Sequence, residues 1–126
     1  MVSGTNQRIV NTSNITGTGT YLAFGVGMMP VGAGGNAAGN VIDSASLLLV
    51  FSTGISAGAI AWGVLRSDGV TYSPVTAPVL LASLPATAQA QQIAWTGGPV
   101  QGLALIVTTT ITGGAIAYSE LIATVR

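Results

Sequence analysis

Along most of the chain, apolar residues alternate with small or polar ones at a period of two, in runs of moderate length. Ile60, Trp62 and Val64 fall on one side of an extended segment, with Ala59, Ala61, Gly63 and Leu65 on the other. Leu103, Leu105, Val107, Thr109 and Ile111 alternate with Ala104, Ile106, Thr108 and Thr110. Ile116, Tyr118, Glu120, Ile122 and Thr124 alternate with Ala117, Ser119, Leu121, Ala123 and Val125. Side chains point to opposite faces of a strand in turn, so this period predicts β-structure. Each run has one bulky side and one small side, and both are weakly apolar. That pattern suits strands covered on both faces, by a facing sheet and by a neighbouring subunit.

Turn residues separate the runs. Asp68-Gly69 tolerates the positive φ angles of a tight hairpin, and Gly113-Gly114 predicts a second hairpin between the last two long runs. Pro74, Pro78 and Pro85 limit the middle of the chain to short or edge strands, because proline lacks the ladder N–H. Strands are expected near 6–12, 19–25, 46–53, 58–66, 70–76, 79–83, 91–96, 101–111 and 115–125. The only helix candidate, Thr87 to Gln92, is short and polar. Residues 25–40 contain six glycines and read as a long loop. The expectation is one all-β domain over 1–126, an antiparallel β-sandwich of jelly-roll-like layout, with residues 1–16 a candidate extended arm.

Charge changes the picture of the surface. Three arginines and three carboxylates are the whole charged set of 126 residues, and lysine, histidine and cysteine are absent. A free-standing domain carries about a quarter of its residues charged, so this surface must be satisfied by lipid or by other protein. Two uncharged stretches, Ser44 to Leu65 and Gly97 to Ser119, are long enough to span a bilayer. Their serines, glycines, Pro99 and Gln101 interrupt them, and only Arg66 could flank a span, so the strand reading is preferred. Arg8, Arg66 and Arg126 lie far apart, without the cluster that phosphate binding draws on, which argues against nucleic acid.

Catalytic chemistry finds no partner set. Serines and threonines have no histidine or lysine to take a proton, and zinc would lack both imidazole and thiolate. Asp43, Asp68 and Glu120 are the only carboxylates, and nothing in the sequence pairs two of them across a cleft. Gly25-Val26-Gly27 misses the dinucleotide fingerprint, with Pro30 where the third glycine belongs and no βαβ unit around it. Neither an enzyme, a cofactor nor a metal is expected. Met1 to Arg8 lacks the basic-then-apolar pattern of a signal peptide, so the acceptor patterns at Asn11 and Asn14 read as loop chemistry.

The candidate sites are therefore contacts with protein. Met28, Met29 and Val31 are adaptable apolar residues in the glycine-rich loop, suited to ordering on docking. Removal of residues 28–35 should abolish assembly and leave the fold intact. Trp95, beside the loop Thr96-Gly97-Gly98-Pro99, is the better interface candidate of the two tryptophans. Glu120 is expected either in solvent or paired across strands, with Arg66 or with Arg126 of the partner subunit.

A Met-initiated, charge-poor β-chain rich in Ala, Gly and Thr is similar in layout to the capsid decoration, or cement, proteins of tailed bacteriophages. The segment from Ala59 through Trp62, Asp68-Gly69 and Tyr72 to Val75 resembles a hairpin of phage virion β-sandwiches. The resemblance implies a structural protein, homotrimeric, bound to the major capsid protein on the exterior of the virion and assembled in the host cytoplasm. It carries over no binding residue. The alternatives are a receptor- or carbohydrate-binding module of a fibre or adhesin, marked by exposed Trp95 and Tyr72, and a two-span membrane protein.

Overall fold

The computed structural model describes residues 5–25, 41–52, 55–68, 70–76, 79–81 and 90–125. Among them lie nine strands and no α-helix. They are β1 (Thr5–Asn11), β2 (Gly19–Phe24), β3 (Ile42–Phe51), β4 (Ala57–Leu65), β5 (Tyr72–Pro74), β6 (Val79–Leu80), β7 (Ala90–Ala94), β8 (Leu103–Thr112) and β9 (Ile116–Val125). Sheet A has the order β1-β9-β3-β7, and sheet B the order β2-β8-β4-β5 with β6 also on β4. All pairings are antiparallel.

β5 and β6 form one interrupted edge, pairing Pro74 with Gly63 and Val79 with Ile60. Counted as one, they give two packed sheets of four strands. Along the chain every link except β4 to β5 and β6 passes from one sheet to the other. This is a jelly-roll topology. The middle strands are short and lie at an edge, β5 with three residues ending on Pro74 and β6 with two, while Pro78 and Pro85 lie outside the described residues.

The core forms where bulky alternates from the two sheets meet. Leu47, Leu49 and Phe51 of β3 and Leu121, Ala123 and Val125 of β9 face Ile60 and Trp62 of β4 and Leu103, Leu105 and Val107 of β8. Ile15, between strands, bridges to Ile116 and closes the same core. β1 pairs with β9 at seven positions, so the described part of the N-terminal segment, from Thr5 onward, is built into sheet A instead of extending as an arm.

Several expectations need correction. Asp68-Gly69 does join a paired hairpin, β4 to β5. Gly113-Gly114 does not, because β8 lies in sheet B and β9 in sheet A. The glycines reverse the chain at a corner between sheets, with Gly113 at φ 80. The Ser52 hydroxyl accepts from the Ala115 N–H at 2.7 Å and holds that corner. A turn dipeptide signals reversal, but partner choice is decided by which strands already flank the edge. Ile116 also changes sides. A register shift at Val50/Phe51 turns it into the core, away from Tyr118 and Glu120. Residues 90–92 of the helix candidate belong to β7, and the rest of it lies outside the described residues.

The two uncharged stretches read against a membrane are mainly strand, in β3, β4, β8 and β9. Among the described residues no helix is long and apolar enough to cross one. The two-sided apolar character of β4 and β8 has a different cause from the one expected. Ala59, Ala61, Ala104 and Ile106, the alternates that face away from the core, are already buried in a single chain. Ile106 lies across Gly63, where an added Cβ would come within 2.8 Å of its Cγ1. No neighbouring subunit is required to bury them.

Candidate interaction surface

The outward side of sheet A is composed differently. Directly opposed residues of an antiparallel pair share a face, so the register gives its rows. Val10, Glu120, Leu48 and Gln92 stand in one row across β1, β9, β3 and β7. Arg8, Ile122, Ser46 and Ala94 form the next, and Tyr118 stands opposite Val50 beyond them. Leu48, Val50, Tyr118 and Ile122 are half-buried, and Val10 is 44% exposed. These large side chains surround a single acid.

Glu120 is only 8% exposed. Its Oε2 accepts a hydrogen bond from the Tyr118 hydroxyl at 2.8 Å and lies 3.7 Å from Arg8 Nη1. The partner is thus an arginine of the same chain. Arg8 is brought to Glu120 because β1 lies beside β9, whereas Arg66 sits on the β4–β5 hairpin of the other sheet. The Arg8 side chain is largely exposed and the contact is long, so the pair contributes about 0–1 kcal/mol. Its main effect is to neutralise the face. The hydrogen bond to Glu120 pushes the Tyr118 hydroxyl above the ordinary tyrosine range, with desolvation adding to it.

Trp95 is half-buried and packs against the core, meeting Trp62 edge to face with ring centroids 5.7 Å apart. Its indole N–H donates to the Gly98 carbonyl at 2.7 Å, and an added Cβ at Gly97 would run into its ring. The loop predicted beside Trp95 therefore holds the ring down on the sandwich. Tyr72 is half-buried, and burial raises its hydroxyl pKa. Neither ring stands out as a stacking platform. Met28, Met29, Val31 and Arg126 lie outside the described residues.

Asp68 is tied into its own hairpin. Asp68 accepts from the Thr71 hydroxyl at 2.6 Å, the Thr71 N–H at 2.8 Å and the Val70 N–H at 2.9 Å. These bonds, the hydroxyl first, hold its pKa at about 2 and fix the hairpin. Among the described residues no three carboxylates gather where a metal ion could bind. Sequence reasoning missed Arg8, Val10 and Leu48. Their common face appears only once β1 and β3 are known to flank β9, and no local signal encodes that. The chain matches no family model and no curated protein sequence.

Proposed function

We propose that this chain is a structural subunit of a protein assembly, and that it serves as a decoration protein on the exterior of a tailed-phage head. In this reading it forms homotrimers in the host cytoplasm and binds the major capsid protein, with neither nucleic acid nor membrane as a partner. The observation that carries the proposal is the outward side of sheet A. There, Val10, Leu48, Val50, Tyr118 and Ile122 surround an acid already neutralised by Arg8. Obligate interfaces are apolar in this way, and a chain with only 5% charged residues gains from having its surface covered. Jelly rolls build viral capsid domains. They also build lectins, so the topology supports the reading without carrying it.

Sedimentation of the purified chain, alone and with phage heads lacking decoration, tests the proposal. The expected result is an oligomer that co-sediments with heads, and that loses both properties on Leu48→Lys. A monomer that leaves heads bare overturns it.

A further inference from the structure

A second surface feature projects from sheet B. The β4–β5 hairpin runs past its neighbour β8. The Leu65 N–H bonds to the Gly102 carbonyl at 3.1 Å, and the chain before Gly102 turns off to sheet A, where Val100 pairs with Ile42. Residues 66–71 continue beyond that point. At their base the Arg66 N–H bonds to the Thr71 carbonyl at 2.7 Å, and at the tip Asp68 ties down Val70 and Thr71. A tip held in one shape by these bonds loses little freedom on docking. Its composition is odd for a turn. Loops are ordinarily polar, yet Val70 is 79% exposed, more than any other large apolar side chain among the described residues. An apolar knob thus stands two positions after an exposed carboxylate.

The outward side of sheet A offers the complement. Arg8 and Val10, also two positions apart, share that face on β1, with Ile122 directly opposite Arg8. The Arg8 side chain is 64% exposed, and among the described residues its guanidinium makes only the long contact with Glu120. Most of its donors are therefore open to an acceptor. Asp68 uses three of the roughly four acceptor positions of a carboxylate, which leaves one on Oδ2. Each patch holds one arginine and one acid, Arg66 with Asp68 and Arg8 with Glu120, so the two meet without net repulsion. On the tip the acid is open to solvent, and on the face the acid is buried while the arginine is open.

Resting on the assembly role above, we propose that the β4–β5 hairpin of one copy docks on the outward side of sheet A of the next, with Val70 against Val10 and Ile122 and Asp68 bonded to Arg8. The two patches lie on different sheets of one chain, so the contact is head-to-tail, and such contacts close into rings when the rotation between copies allows. A ring of three is the homotrimer. A second copy is the occupant because this chain already holds both halves of the contact, apolar knob with apolar face and open acid with open base. Leu48 shares a row with Val10, so a charge placed there lies under the docked hairpin.

The chain has no cysteine, so single introduced thiols report the contact. Val10→Cys and Val70→Cys chains, mixed and treated with a short bismaleimide, should cross-link to one another, and neither variant should cross-link to itself. A chain carrying both substitutions should give a ladder that ends at three copies. Arg8→Gln and Asp68→Asn should each weaken self-association about tenfold in sedimentation, and the two together no further than either alone. An oligomer that yields no cross-link between the mixed variants, or in which one variant links to itself, overturns this contact and leaves the assembly role standing. Additive losses in the double variant, or a ladder that runs past three, overturn it equally. A wild-type chain that sediments as a monomer overturns both.

Discussion

The two sheets meet the same shortage of charge in different ways. On sheet B, the alternates that face away from the core are Ala59, Ala61, Gly63 and Ala104, with Ile106 lying across the glycine, and the chain buries them unaided. On sheet A, the corresponding positions hold Val10, Leu48, Val50, Tyr118 and Ile122, which remain partly open around a neutralised acid. Low charge therefore has two meanings within one molecule. Small residues on β4 and β8 leave the middle of sheet B dry on both sides, while Leu80 and Val75 along its edge stay 60% and 53% exposed. Large residues leave the other with apolar area that only another surface can cover.

The sharpest division falls between adjacent residues of β3. Leu49 is fully buried and Leu48, one position away, stands on the outward side. Leu49→Ala should cost about 2–5 kcal/mol by loss of burial and the cavity left behind. Leu48→Ala in the isolated chain should stay within about 1 kcal/mol of wild type. Urea denaturation measures both. Equal losses would mean that the sheet A face belongs to the core of the single chain, and the comparison would collapse.

Sheet B offers the converse substitution. Gly63→Val should cost about 1–3 kcal/mol, because the new side chain occupies the place of Ile106. Ile106→Ala should relieve much of that loss in a double-mutant cycle. Ser46→Val on the outward side of sheet A should be close to neutral. If Gly63→Val proved harmless, the outward side of sheet B would be looser than its burial indicates.

How much of this was legible follows from what each signal encodes. The period of two and the turn residues placed nine strands near their observed positions, because both depend on residues close in sequence. Pro74 marked a short edge strand, since a missing N–H limits pairing wherever the strand lies. The sequence does not encode partners so directly. Gly113-Gly114 looks like a hairpin and is a corner between sheets. Glu120 could be seen to share a face with Tyr118, but its partner Arg8 is 112 positions away, and only the β1–β9 register joins them. Likewise, Trp95 beside a Gly-Gly-Pro loop reads as an interface candidate, and the bond from its indole to the Gly98 carbonyl carries no signal in the sequence.

On the outward side of sheet A, a charge should change association far more than stability. Leu48→Lys should leave urea stability within about 0.5 kcal/mol, since the ammonium can reach water from a half-exposed position. Sedimentation should nevertheless report loss of the oligomer, because a docked surface would trap that charge without a partner. An oligomer that survives Leu48→Lys places the contact elsewhere on the molecule. The same substitution then serves to locate it, by excluding this face.

The smallest effect concerns acid, and it belongs to the sheet B side. Asp68 is held at about 2 by the Thr71 hydroxyl and the Thr71 and Val70 N–H groups, against about 3.9 in an unfolded chain. Between those values the folded chain binds fewer protons than the unfolded one, so stability rises with pH. The contribution is complete above about pH 4 and is lost as pH falls towards 2. Asp68→Asn should flatten the dependence of Tm on pH across that window, and Thr71→Val, which deletes the shortest of the three bonds, should flatten it in part. Full solvent exposure keeps the slope shallow. A slope unchanged in Asp68→Asn would shift the acid sensitivity to another carboxylate and leave the hairpin held by its backbone alone.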